Sequence, residues 1–177
     1  HAGGDSAYLS HLRTRVPAPG REFEGTLYRP TYTFNSTVYF KGAWVLHMLR
    51  YVLGDEPFFH ALREYRRNLA VGPSGTELFR EILEQTTQRD LGGFFDAWVY
   101  GTGRPIYELF WTSAARDGGV DVDARLRQIQ QEEPFAMPLE LVAIFDDAPA
   151  ETTTVESFER ESSFRLRYSR EPKRILL

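Results

Sequence analysis

Few residues in this chain can do chemistry, and their spacing narrows what that chemistry is. The four histidines, His1, His11, His47 and His60, nowhere stand at i and i+4 around a glutamate, so there is no HExxH zinc motif. No serine sits in a G-x-S-x-G elbow. The absence of cysteine removes thiolate nucleophiles, disulfides and thiolate-ligated zinc. Gly101-x-Gly103 lacks a third glycine and precedes an alternating segment, which makes it a turn rather than a phosphate cradle. The acidic pairs Glu132-Glu133 and Asp146-Asp147 fall in turn-rich stretches and are expected to be solvated. His47 reads as a satisfied core or boundary histidine, and His60 leans to the surface. There remain a phenol and an ammonium two residues apart, Tyr39 and Lys41. On residue type alone Tyr39 is a packing residue, because an aromatic on an apolar helix is usually core.

The element that must position these two groups is residues 36–50, STVYFKGAWVLHMLR. Val38, Gly42, Val45, Leu49 and Val52 form one apolar row at helical spacing, and Tyr39, Ala43, Leu46 and Leu53 form a second beside it. That pattern predicts a helix covered on most sides. Lys41, His47 and Arg50 interrupt it, and each needs water, a carboxylate or a backbone carbonyl, because an unpaired buried charge costs several kcal/mol. Asn35 or Ser36 can cap its start, and Gly54 suits its end.

Around it the chain reads as helices first and strands afterwards. Residues 5–15 place Tyr8, Leu9 and Leu12 on one face behind Asp5 as N-cap, and Pro17-Ala18-Pro19-Gly20 stops that helix. Asp55-Glu56-Pro57 opens another, with Asp55 at the N-cap and Phe58, Leu62, Tyr65 and Leu69 as its stripe. Gly72-Pro73 breaks it, and Ser74-x-x-Glu77 is a capping box for a third helix facing inward through Leu78, Phe79, Ile82 and Leu83. A short fourth helix from Asp90 carries Leu91, Phe94, Phe95 and Trp98 at i, i+3, i+4 and i+7.

At residues 101–105, GTGRP, the period changes to alternation. Val120, Val122, Ala124 and Leu126 alternate with Asp121, Asp123, Arg125 and Arg127, as Phe164, Leu166 and Tyr168 do with Arg165 and Arg167. Residues 106–113, 135–145 and 152–158 are further strands, and 175–177 one more edge, separated by Asp117-Gly118-Gly119 and Asp146-Asp147-Ala148-Pro149 turns. The predicted fold is α+β: a helical array over 1–103 and an antiparallel β-sandwich over 104–177.

Composition bounds the partners. With 177 residues, 42% of them hydrophobic, the chain can build a real core. A net charge of −4 gives no electrostatic reason to expect nucleic acid or an anionic membrane surface. No uncharged apolar run approaches the roughly 18 residues a bilayer span needs. The start at His1-Ala2-Gly3-Gly4, without an initiator methionine, suggests a piece of a longer product, so the compartment is not legible.

A resemblance adds to this. Val38-Tyr39-Phe40-Lys41-Gly42-Ala43, continuing through Val45-Leu46-His47-Met48-Leu49 to Leu53-Gly54-Asp55-Glu56-Pro57-Phe58, resembles a helix of the gluzincin aminopeptidases, the alanyl aminopeptidase and leukotriene-hydrolase type. Tyr65, Thr76-Glu77-Leu78-Phe79, and Leu91-x-x-Phe94-Phe95-x-x-Trp98-Val99-x-x-x-Gly103-x-Pro105 look like the helices that follow and the turn into that family's sandwich. Residues 127–131 and 134–139 are similar to two of its strands. The resemblance implies a helical C-terminal portion of a thermolysin-like catalytic domain followed by the sandwich. For Tyr39 it implies a hydrogen bond donated to the oxyanion formed when zinc-bound water attacks a scissile carbonyl. A phenol with the ordinary pKa of about 10 is a donor at neutral pH, and a donor so aimed is worth about 3 to 4 kcal/mol. Gly42 is expected to permit close helix packing, and Lys41 to tie the helix to a carboxylate.

The family's HExxH and its downstream glutamate are missing here. The expectation is therefore a part of a zinc metallo-aminopeptidase that supplies Tyr39 but no metal ligand, holds no zinc and is inactive alone. Its partners would be peptide substrates and the N-terminal remainder of the same protein. The competing reading is a non-catalytic helical and β-sandwich module that binds a protein, with Tyr39 merely core.

Overall fold

The structure, a computed structural model, describes residues 8, 10–14, 16, 23, 25–69 and 75–177. Asp5, Leu9, the Pro17 to Gly20 stop, the Gly72-Pro73 break and Ser74 lie outside the described residues. The chain is α+β and divides into two compact units, His1–Arg104 and Pro105–Leu177.

In the first unit a π-helical turn, Thr37–Lys41, runs directly into helix α1, Gly42–Leu53. Asn35 caps this start: its side-chain oxygen accepts the Val38 N–H at 2.8 Å, and its carbonyl accepts the Tyr39 N–H at 3.2 Å. Helix α1 buries Val45, Met48, Leu49 and Leu53. Each such side chain taken from water contributes about 1.5–3 kcal/mol, which is what holds the helix in place. Gly54 ends it at φ 84°, a conformation that favours glycine, and its N–H returns to Arg50 O at 2.8 Å.

Helix α2, Asp55–Leu69, follows at once and buries Phe58 and Ala61. Asp55 is not its cap. Both Asp55 oxygens accept from the Arg50 guanidinium, at 2.7 and 2.8 Å, while the Phe58 N–H bonds Gly54 O. The Arg50 hydrogen bond holds the Asp55 carboxyl below the usual carboxylate range. Leu69, expected on the apolar stripe, is exposed, because the buried line runs through Ala61 instead. Helix α3, Thr76–Thr87, has Gly75 at its N-cap without a side-chain bond, and buries Ile82 and Leu83. Helix α4, Gly92–Phe95, continues into a second π-helical turn, Asp96–Tyr100. Leu91, Phe94, Phe95 and Trp98 are all buried, as their spacing predicts. The rings Tyr65, Phe79 and Phe95 form a chain, with centroids 5.0 and 6.3 Å apart, that packs α2, α3 and α4 together.

The second unit contains two antiparallel three-stranded sheets, in the orders β1-β2-β5 and β4-β3-β6. The strands are β1 Tyr107–Arg116, β2 Gly119–Gln128, β3 Met137–Ile144, β4 Glu151–Ser157, β5 Glu161–Tyr168 and β6 Arg174–Leu176. Asp117 and Gly118 both have positive φ, which makes the β1–β2 connection the two-residue turn whose twist matches the flanking strands. Val120, Val122, Leu141, Ala143, Phe145, Val155, Tyr168 and Ile175, drawn from both sheets, form the sandwich core. The wet face of β2 pairs across to β5 through Asp121 with Arg167 and Asp123 with Arg165. Being exposed, each such pair is worth at most about 1 kcal/mol and serves register more than stability. No helix among the described residues is long and apolar enough to cross a membrane.

Candidate functional site

Tyr39 and Lys41 share the π-helical turn and point to opposite sides of it. Thr37 and Lys41 are 2% and 1% exposed, whereas Tyr39 between them is 56% exposed. Tyr39 is thus not a wall of the core, contrary to the apolar-row reading. The row it heads is open at this end, with Ala43 half-buried and Leu46 exposed, and closes at Leu53, which is buried. Its ring lies against Phe34, centroid to centroid 6.5 Å, and Phe34 is itself exposed. The Tyr39 hydroxyl makes no hydrogen bond among the described residues, so the donor is free toward solvent.

The inward face of the turn explains this arrangement. Lys41 buries its aliphatic stem and donates from Nζ to Gly101 O at 2.8 Å. The sequence led to the expectation of a carboxylate partner; the bond seen here goes to a backbone carbonyl. Gly101 closes the second π-helical turn and leaves no room for a side chain: an added Cβ would stand 2.5 Å from Ala97 O. Just before it, Val99 O accepts the N–H groups of Leu27 and Tyr28, at 3.1 and 3.2 Å. Tyr28 in turn donates its hydroxyl to the Glu77 carboxylate; this bond raises the Tyr28 phenol above its ordinary value and lowers the Glu77 carboxyl. A strap through residues 26–28, the second π-helical turn and α3 therefore back the turn that displays Tyr39.

Gly42 does not serve close packing as expected. Its φ of −59° and ψ of −42° are ordinary helix, and among the described residues an added Cβ would meet only Leu27 Cδ2 at 3.8 Å, a normal contact. Gly42→Ala is therefore expected to stabilise the chain by about 0.5–1 kcal/mol, read by chemical denaturation, since alanine loses less backbone freedom in a helix. A loss of stability would mean that the space is smaller than it looks.

The remaining candidates are structural or peripheral. His47 is half-buried, with Tyr8 and Trp44 edge-on at 5.5 and 5.8 Å; burial, then the nearby Arg50 charge, lowers its pKa. His60 is exposed near Glu64. Asp146 and Asp147 are exposed and meet Lys173 and Arg170. Among the described residues no group of three His, Asp or Glu side chains is placed to hold a metal ion. Two residues the pattern did not single out, Gln128 and Gln130, are buried and bonded to each other at 2.9 Å. Their in-out parity, continuing that of Val120 to Leu126, was the available signal.

Residues 26–98 match the family model of the Peptidase family M1 domain. The Aminopeptidase N of Lactococcus lactis subsp. lactis is 33% identical over 73 residues, 41% of this chain and 8% of that protein. Among solved structures, Legionella pneumophila aminopeptidase A in complex with aspartic acid is similar with a TM-score of 0.58 at 18% identity, over 78% of this chain and 16% of that one. At that identity the likeness speaks for the fold. The chain spans a small part of both relatives.

Proposed function

We propose that this chain, a relative of the family M1 peptidases, is the later helical part of a zinc-dependent aminopeptidase's catalytic domain together with the sandwich that follows. The observation that carries the proposal is Tyr39: a free phenolic donor on an anchored turn, inside the segment that matches the peptidase family. In this reading the Tyr39 hydroxyl donates to the carbonyl oxygen of a peptide bond as that oxygen gains negative charge, and the open row through Ala43 and Leu46 faces the remainder of the same protein. The substrates are peptides that lose N-terminal residues. Zinc would supply the activation of water in such an enzyme, but the described residues offer no donor set for it, so its ligands would come from elsewhere in the protein.

The test compares the intact protein with the 177-residue chain. The intact protein is expected to hold zinc stoichiometrically and to hydrolyse aminoacyl anilides until a chelator is added; the chain alone is expected to do neither. Zinc binding with turnover by the chain alone overturns the assignment of the metal site. An intact protein with no HExxH upstream and no hydrolysis leaves the non-catalytic module as the reading.

A further inference from the structure

We infer that Lys41 is a positioning residue for Tyr39, holding the π-helical turn so that the phenolic hydroxyl stands at a fixed place. The inference rests on the proposed role of Tyr39 and extends it to a side chain that touches no substrate.

The argument begins with the turn itself. It is closed by the Gly42 N–H bonding Thr37 O, five residues back. Such wide turns are rare single insertions in helices and persist only where surrounding contacts hold them. Asn35 secures the N-terminal side through Val38 N–H and Tyr39 N–H. On the side away from Tyr39, Lys41 donates to a carbonyl 60 residues away in sequence. The segment that carries this acceptor is tied down in turn: Val99, two residues before Gly101, accepts two N–H groups of the strap, and Gly101 has no room for a side chain against the Ala97 carbonyl. Sliding or rewinding the turn by one residue would carry Nζ off Gly101 O and rotate Tyr39 off its face.

The chemistry of Lys41 fits this use. An ammonium at 1% exposure is costly unless it is hydrogen-bonded, so the bond to Gly101 O is a directional constraint on the register of the turn. An apolar side chain would fill the slot equally well but would accept several registers. Misplacing a reacting group by about 1 Å can cost about 10²-fold in rate.

The experiment is a double-mutant cycle in the intact protein, with steady-state kinetics on an aminoacyl anilide for the parent, Tyr39→Phe, Lys41→Met and the double variant. Lys41→Met is expected to lower kcat about 10- to 100-fold with KM within about twofold. In the Tyr39→Phe background the same change is expected to cost less than about twofold, because the hydroxyl it positions is gone. Equal losses in both backgrounds, or no loss in the parent, overturn the inference and leave the role of Tyr39 standing. If Tyr39→Phe itself leaves kcat unchanged, the functional reading falls and this one falls with it. Should Lys41→Met not accumulate as folded protein, Lys41→Arg runs the same cycle, since it keeps a donor but displaces it; a loss of about 10-fold that vanishes without the Tyr39 hydroxyl is then the expected result.

Discussion

Replacing Tyr39 by phenylalanine in the intact protein is expected to lower kcat about 10²-fold or more, with KM changed by less than about twofold. The substitution removes one oxygen and nothing else. The ring is more than half exposed and its contact with Phe34 is retained, so the fold has no reason to respond, and stability should stay within about 0.5 kcal/mol. A hydrogen bond that strengthens only as the carbonyl oxygen becomes negative acts on kcat and spares KM. Kinetics on two substrates of different side chain, with a thermal scan of each variant, separate the possibilities. A rise in KM at constant kcat would move Tyr39 to substrate binding. A loss of stability without a change in kcat would return it to packing, which its exposure argues against.

The exposure of Tyr39 also shows where pattern reading ends. Helical spacing correctly placed Val45, Leu49 and Leu53 inside, and it placed Leu91, Phe94, Phe95 and Trp98 in the core. It put Tyr39 inside and treated Lys41 as an interruption because hydropathy weights apolar atoms. The buried line in fact runs Thr37, Lys41, Val45, Met48, with two polar members. Lys41 belongs to it because its stem is apolar and its charge finds Gly101 O, a partner encoded far along the chain and invisible to any local period. The π-helical turns were illegible for a similar reason: nothing in TVYFK or DAWVY distinguishes i+5 from i+4 bonding, and tertiary contacts decide it. The strands were easier. One buried and one wet face leave a period of two in the sequence, and the Asp117-Gly118 turn fixes the β1–β2 register. Tyr39 as a site came from resemblance; its geometry came only from the fold.

The sandwich holds the second large effect. Gln128→Leu is expected to destabilise the chain by about 3 kcal/mol, several times a typical surface change, although leucine matches glutamine in bulk. Gln128 is 1% exposed and uses its whole amide. Nε2 donates to Phe135 O at 3.1 Å and to Glu159 O at 3.3 Å, while Oε1 accepts from Phe135 N–H and from Gln130 Nε2, both at 2.9 Å. Gln130 passes the network on by accepting the Ile106 N–H at 3.1 Å, and Arg160 closes it against the carbonyls of Gln130 and Glu132. At the end of β2 the Gln128 and Ile129 N–H groups bond the backbone carbonyls of Arg160 and Ile106, whereas the segment leading to β3 has backbone groups of Gln130, Glu132 and Phe135 met by side chains. Leucine gains apolar burial worth about 1–2 kcal/mol, but it removes the bonds that Gln128 makes to two carbonyls, one N–H and the Gln130 amide, at about 1–3 kcal/mol for each buried group that finds no replacement. The loss therefore dominates. Adding Gln130→Leu should cost less than its effect alone, because its partner is already gone. Urea unfolding of the single and double variants measures both terms; a destabilisation below about 1 kcal/mol for Gln128→Leu would mean that water replaces the amide and that apolar packing alone orders this end of the sandwich.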